Sequence, residues 1–174
     1  MHHETLTYQA DGLTMRSQLF FEPGTDSGPR AGVLVFPEAF GLGQHAISRA
    51  ERLAGMGYVA LACDLHGNGR VIDDLQGAIL ALEPLFADPS RTRARAKGGL
   101  DALTARPEVD AVRVASIGFC FGGTMSLELA RSGAQVAAVV GFHSGLATAA
   151  SKTDAKAIKG IVSRRRASVM LYER

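Results

Sequence analysis

Cysteine is scarce in this sequence, with only Cys63 and Cys120 among 174 residues. Two cysteines make no disulfide framework, and no Cys/His cluster has the spacing of a zinc site. We therefore expect no metal and a reducing, cytoplasmic setting. The sequence also lacks an apolar run of the roughly 20 residues that a membrane span needs, and its N-terminus has no charged-then-apolar signal pattern. A membrane partner is not expected.

Excess charge of one sign is also missing from most of the chain, although the formal net charge is +2. The last 14 residues, 161–174, contain four arginines and one glutamate, so the rest is close to neutral. A neutral body argues against a nucleic-acid-binding surface. We interpret residues 161–174 as a solvated basic tail, with an acidic partner as the alternative.

The composition, with 47% hydrophobic and 21% charged residues, is that of one globular domain. Asp11-Gly12 between two alternating segments predicts an N-terminal β-hairpin. Beyond it, apolar runs alternate with segments of helical periodicity. The runs cover residues 31–36, 58–63, 112–119 and 136–142, and the helical segments cover 45–56, 73–86, 90–105 and 121–132. This alternation predicts an α/β fold with a doubly wound, mostly parallel sheet.

Residues 118–123 read Gly-Phe-Cys-Phe-Gly-Gly, between a predicted strand and a predicted helix. This is the glycine-flanked turn on which α/β-hydrolases carry their nucleophile, here with Cys120 in place of serine. The flanking glycines avoid collisions with the neighbouring strand and helix. Cys120 would lie at a helix N-terminus, which favours its thiolate form. The alternative is a structural cysteine in a core turn.

Parallel α/β sheets bind ligands beyond the carboxyl ends of their strands. Three candidate side chains follow such ends, namely Glu38, Cys120 and His143. The backbone N–H of Phe121, just after the nucleophile, is one predicted oxyanion donor, and that of Ala39, after the first buried strand, is the other.

The sequence resembles the dienelactone hydrolase family over roughly residues 15–160. The resemblance rests on Val-Phe-Pro-Glu-Ala-Phe-Gly-Leu-Gly at 35–43, Gly-Tyr-Val-Ala-Leu-Ala-Cys-Asp-Leu-His-Gly at 57–67, and Ile-Gly-Phe-Cys-Phe-Gly-Gly at 117–123. It implies an α/β-hydrolase fold and hydrolysis of a small-molecule ester or enol-lactone without a cofactor. By the same resemblance, Cys120 is the nucleophile, Glu38 contacts the resting thiol and assists thiolate formation, and the amides of Ala39 and Phe121 form the oxyanion hole.

The sequence departs from the family pattern at its C-terminal end. The Asp and His that complete the family's Cys-His-Asp triad are not found before Arg174. We expect an incomplete domain over residues 1–160, followed by a tail at 161–174 that is native or the product of a shifted frame. His143 is then the candidate base, and Asp154, in a polar linker that fixes no position for it, is the candidate for the orienting acid. The alternative is a catalytically impaired fragment that acts as an interaction module and self-associates through an exposed sheet edge. The substrate and the oligomeric state are not specified.

The remaining reactive residues are expected to be structural or solvated. His45 and His66 are predicted at the surface, and Cys63 is predicted to be buried in a strand. Solvation is the expectation for the arginines of the third predicted helix, and contact with a substrate carboxylate is the alternative. Those arginines are Arg91, Arg93 and Arg95. A thiol redox protein would require a bridge between Cys63 and Cys120.

Overall fold

A computed structural model describes residues 1–24 and 28–146, together with the backbone of two short strands at 162–164 and 167–169. The strands are β1 His2–Ala10, β2 Leu13–Phe21, β3 Arg30–Phe36, β4 Val59–Ala62, β5 Val109–Phe119, β6 Ala138–Phe142, β7 Val162–Arg164 and β8 Ala167–Val169. The helices are α1 Gln44–Ala54, α2 Leu75–Ala87, α3 Pro89–Thr104 and α4 Phe121–Arg131. Each predicted element from the hairpin to β6 is present within a few residues of its predicted bounds.

The hairpin is built on the predicted turn. Strands β1 and β2 pair antiparallel up to Ala10 opposite Leu13. The two turn residues, Asp11 and Gly12, have φ angles of 50° and 71°. Positive φ at both central positions is what a tight type I′ turn requires, and Asp-Gly meets that requirement at low cost.

One six-stranded sheet carries the fold, in the order β1-β2-β4-β3-β5-β6. The pairs β3–β4, β3–β5 and β5–β6 are parallel, and the hairpin joins antiparallel through β2 and β4. Buried apolar side chains cover both faces of this sheet in two clusters. The predicted mostly parallel, doubly wound α/β sheet with an N-terminal hairpin is therefore confirmed.

The two faces are covered by different helices. Helix α1 buries Ala46, Ala50 and Ala54, spaced four residues apart, so one narrow stripe lies against the sheet. Helices α3 and α4 supply Leu100, Leu103 and Met125, among others, to the larger cluster on the opposite face. Small residues on α1 allow its backbone to approach the strands closely.

Parallel pairing brings three loops together at one edge of the sheet. Phe36 at the end of β3 lies opposite Gly118 in β5, and Phe119 at the end of β5 lies opposite Phe142 in β6. The segments that follow these strands therefore start side by side, about 4.8 Å apart.

The arginines of α3 attach that helix to the rest of the molecule through ion pairs, although Arg91 also keeps 38% of its side chain exposed. Arg95 is only 7% exposed, donates to Asp11 Oδ2 at 2.8 Å and to the Leu65 carbonyl oxygen at 2.7 Å, and shares Asp11 with Arg91. Arg93 pairs with Glu128, which is buried in α4. The expectation of solvation was wrong for Arg95, because the folded hairpin places a carboxylate above the helix.

Strand β6 ends the described six-stranded sheet opposite to β1. Next to it, the stacked rings of Phe119 and Phe142 line a groove of about 470 Å³. Self-association through this edge stays a prediction. Strands β7 and β8 pair antiparallel with each other, whereas the rest of the predicted tail at 161–174 lies outside the described residues. Within the described part of the chain, every helix is too short or too polar to cross a membrane.

Candidate active site

Cys120 lies at the point where β5 passes into α4. Its φ and ψ are 53° and −117°, and it is the N-cap residue of α4. Non-glycine residues rarely adopt a positive φ, and such strain persists only where the surroundings impose it. The Cys120 amide donates to the Phe142 carbonyl oxygen at 2.9 Å, which ties the turn to β6. The half-buried thiol is thereby held at the helix N-terminus, where the helix dipole favours a negative charge.

The glycines of residues 118–123 are sterically required, as the sequence predicted. A Cβ on Gly118 would lie 2.0 Å from the Gly122 carbonyl oxygen, inside the turn itself. A Cβ on Gly122 would lie 2.2 Å from the carbonyl oxygen of Phe36 at the end of β3. A Cβ on Gly123 would overlap the hydroxyl of Ser144. The turn of Cys120 thus packs closely against the end of β3 on one side and the loop after β6 on the other.

Glu38 lies in the loop between β3 and α1, next to the glycine-flanked turn of Cys120. The Gly41 amide donates to the Glu38 carbonyl oxygen at 3.0 Å, and Gly41 adopts a φ of 94° that turns the chain towards α1. The Glu38 carboxylate, 29% exposed, contacts His45 Nδ1 at the start of α1. Glu38 as the partner of the thiol remains a prediction, since the contact that the structure records for its carboxylate is the one with His45.

His45 lies between this loop and the turn of Cys120. Its ring meets that of Phe119, the residue before Cys120, edge-on with centroids 4.6 Å apart. Arg49, one helical turn later, donates from Nε to His45 Nε2 at 3.2 Å. His45 lies at the surface as expected, with 39% of its side chain exposed, and folding also brings it against the end of β5.

His66 holds the loop of Ala39, whose amide is a predicted oxyanion donor. His66 Nε2 donates to the Ala39 carbonyl oxygen at 2.8 Å. Burial is the main cause that lowers the pKa of His66 below its ordinary value, partly opposed by this hydrogen bond. His66 is thus half-buried, which only partly agrees with the surface position predicted for it.

The loop that carries His66 is organised by Asp64, which is 1% exposed. Its carboxylate accepts four backbone N–H groups, at distances from 2.6 to 3.1 Å. The donors are Arg16, His66, Gly67 and Gly69. A buried carboxylate is tolerated only when it is hydrogen-bonded in this way. Asp64 thus reaches the site indirectly, through His66 and Ala39.

His143 follows β6 directly, as predicted, and adopts a φ of 44°. The register of β5 and β6 places its backbone beside Cys120, while its side chain is exposed. A hydrogen bond attaches the loop after β6 to α4, because the Thr124 hydroxyl donates to the Gly145 carbonyl oxygen at 2.9 Å. His143 as a base stays a prediction. The candidate acid Asp154 lies outside the described residues.

The second thiol is separate from this site. Cys63 is buried, and burial strongly raises the pKa of its thiol, with a smaller lowering by the Val35 backbone. Cys63 and Cys120 are both free thiols. Among residues 1–24 and 28–146, no group of three His, Cys, Asp or Glu side chains has the arrangement of a metal site.

A parallel sheet with a glycine-flanked turn after β5, followed at once by a helix, is the architecture of an α/β-hydrolase. The chain belongs to the dienelactone hydrolase family, whose model matches residues 18–164. The sequence resemblance to this family is thereby confirmed.

Individual relatives agree with this assignment. The chain is 31% identical to a probable 2-oxo-3-(5-oxofuran-2-ylidene)propanoate lactonase from Bradyrhizobium sp. over 79% of this chain and 54% of that protein. It is similar to the solved structure m3DLH, with 51% identity and a TM-score of 0.83. A dienelactone hydrolase-like promiscuous phosphotriesterase from metagenomic libraries is 45% identical, with the same TM-score. The match covers 88% of this chain and 63% of each solved chain. The chain thus spans about half the length of the curated lactonase.

Proposed function

We propose that this protein hydrolyses carboxylic esters or lactones through a thioester at Cys120. The observation that carries the proposal is the strained conformation of Cys120 at the N-terminus of α4, within a glycine cradle that admits no Cβ. A protein holds a reactive side chain in such a conformation at a cost, and the cost is usual at catalytic turns. The half-exposed thiol also contrasts with the fully buried Cys63.

In the proposed reaction, the Cys120 sulfur attacks the carbonyl carbon and forms a C–S bond. Glu38 accepts the thiol proton, and the amides of Ala39 and Phe121 donate to the carbonyl oxygen as it becomes negative. Collapse of the tetrahedral intermediate breaks the C–O bond and releases an alcohol, or opens the ring of a lactone, with a proton passing to the leaving oxygen. Water then cleaves the thioester, returns the thiol and yields the acid.

Support for each role differs in kind. The N–H of Phe121 is at the first position of α4, where helical N–H groups have no partner within the helix. Ala39 is held by its carbonyl oxygen through His66, which fixes the orientation of the neighbouring peptide groups. His143, placed beside Cys120 by the strand register, is the proposed base for the attacking water.

The lactone class is suggested by the name of the Bradyrhizobium relative, which is described as a lactonase. Lactones and activated esters share the carbonyl chemistry that a thiolate and an oxyanion hole serve. An activated ester is therefore a suitable first substrate.

The test is hydrolysis of p-nitrophenyl acetate by the protein and by Cys120→Ala, with Cys63→Ala as the matched control. We expect Cys120→Ala to lose at least about a thousandfold in rate, since removing a nucleophile commonly costs that much. Cys63→Ala should retain the rate. His143→Asn should slow the release of acetate from Cys120 while leaving the first release of p-nitrophenolate in place. Equal hydrolysis by Cys120→Ala and the unchanged protein would refute the proposal.

A further inference from the structure

We propose that His45 is a positioning residue that holds the Glu38 carboxylate near the turn of Cys120, and this inference rests on the proposed function. Three elements meet at His45, namely the loop after β3, the first turn of α1 and the last residue of β5. The contacts are with Glu38, Arg49 and Phe119.

The contacts specify where the proton of His45 lies. The Nε–H of Arg49 can only donate, so His45 Nε2 must present its lone pair. In the neutral ring the proton is then on Nδ1, and Nδ1 faces the Glu38 carboxylate. Nδ1 is inaccessible to solvent, and the Glu38 carboxylate is the charged group that lies against it. A buried ring N–H without a partner is costly, so in this proposal the Nδ1–H is directed to that carboxylate.

The ring itself cannot turn freely. Phe119 packs against it edge-on, and the Arg49 guanidinium lies 5.9 Å from the centroid of the same phenylalanine. Phe119 directly precedes Cys120, so movement of the nucleophile turn and movement of His45 are linked. The Nδ1–H therefore keeps one Glu38 oxygen in place, which leaves the second oxygen to receive a proton.

A proton acceptor contributes only while it is within hydrogen-bond reach of its donor. Without His45, the Glu38 side chain is half-exposed on a loop and gains rotational freedom. We expect His45→Leu to slow acylation of Cys120 by p-nitrophenyl acetate about tenfold, in the range of a modest misplacement of a reacting group. His45→Asn, whose amide nitrogen falls near the position of Nδ1, should restore the rate to within about threefold of the original. His3→Leu, a histidine on the hairpin away from the site, is the matched control and should leave the rate unchanged.

The decisive comparison uses Glu38→Ala. If His45 acts through Glu38, His45→Leu should change acylation by less than about twofold in the Glu38→Ala background, because coupled residues are not additive. Equal effects in both backgrounds, or failure of His45→Asn to rescue, would overturn the proposal.

A second measurement needs no activity. Long-range ¹H–¹⁵N correlation spectra at pH 8 report which nitrogen of His45 carries the proton. We expect the Nδ1–H tautomer in the unchanged protein and a weaker preference in Glu38→Ala. An Nε2–H tautomer would overturn the proposal. If the ester fails to acylate Cys120, the proposed hydrolase activity fails, whereas the His45 tautomer and its dependence on Glu38 still decide this inference.

Discussion

Replacing Asp64 by asparagine should strongly destabilise the protein, although Asp64 takes no part in the proposed chemistry. Each carboxylate oxygen accepts two backbone N–H groups. Oδ1 accepts from His66 and Gly67, and Oδ2 accepts from Arg16 and Gly69. Asparagine keeps one oxygen and turns an NH₂ group towards two N–H donors, which leaves those donors unsatisfied in a site that is 1% exposed.

The magnitude follows from those two lost bonds. A hydrogen bond to a charged group contributes about 1.5–3 kcal/mol, so Asp64→Asn should lower the free energy of unfolding by roughly 3–6 kcal/mol. The control is Asp101→Asn, which breaks an ion pair with Lys97 in which both side chains are 60% exposed. Exposed pairs of this kind contribute little, so the control should change stability by less than about 0.5 kcal/mol.

Urea denaturation followed by circular dichroism at pH 7.5 measures both variants, and an unchanged slope against urea confirms that the midpoint shift reports stability. A loss for Asp64→Asn below about 1 kcal/mol, similar to that of Asp101→Asn, would refute the view that this carboxylate organises the loop. Because the loop carries His66, we also expect slower acylation of Cys120 in whatever fraction of Asp64→Asn remains folded.

Three further predictions concern the turn of Cys120, the titration of His66 and the reactivity of the two thiols. Gly122→Ala should abolish ester acylation or lower the free energy of unfolding, measured by urea titration, by more than about 3 kcal/mol, because its Cβ would collide with backbone atoms. Gly28→Ala has open space around it and should change stability very little. Equal effects of the two substitutions would contradict this prediction. Burial lowers the pKa of His66, so the unfolded chain takes up that proton first and stability falls as pH drops below about 6.5; urea titrations at pH 8 and pH 5 should show a smaller loss in His66→Gln. Iodoacetamide at pH 7.5 should label Cys120 in the native protein and Cys63 only after denaturation, as peptide mass mapping can check; native labelling of Cys63 would show that its strand opens.

The glycine-flanked turn of Cys120 was the local structure that the sequence predicted best. Its signal is local, because a strand, Gly-x-Cys-x-Gly and a helix follow one another within about 20 residues. The steric reason for the glycines could also be foreseen, although the atoms they avoid belong to β3 and to the loop after β6.

The contacts of His45 and His66 were not predicted, for the opposite reason. Each contacts a residue that lies in another element, Phe119 for His45 and Ala39 for His66. Nothing in the residues around a lone histidine distinguishes it from a solvated one. The one available signal was position, since both lie in or next to segments that follow buried strands.

The ion pairs of α3 show the same limit. Arg91 and Arg95 lie 80 and 84 residues from Asp11 along the chain, yet both bind its carboxylate. Their four-residue spacing predicts a shared helix face but not what covers that face.

Sequence alone thus determined the alternation of strands and helices, the hairpin turn and the strained turn of Cys120, because each depends on neighbours in the chain. Tertiary structure alone decided that Glu38 meets His45, that His66 holds Ala39, and that Asp64 gathers four amides. The hydrogen bonds from His66 to Ala39 and from Arg16 to Asp64 join residues 27 and 48 positions apart, so their geometry exists only once the sheet has paired β2, β3 and β4.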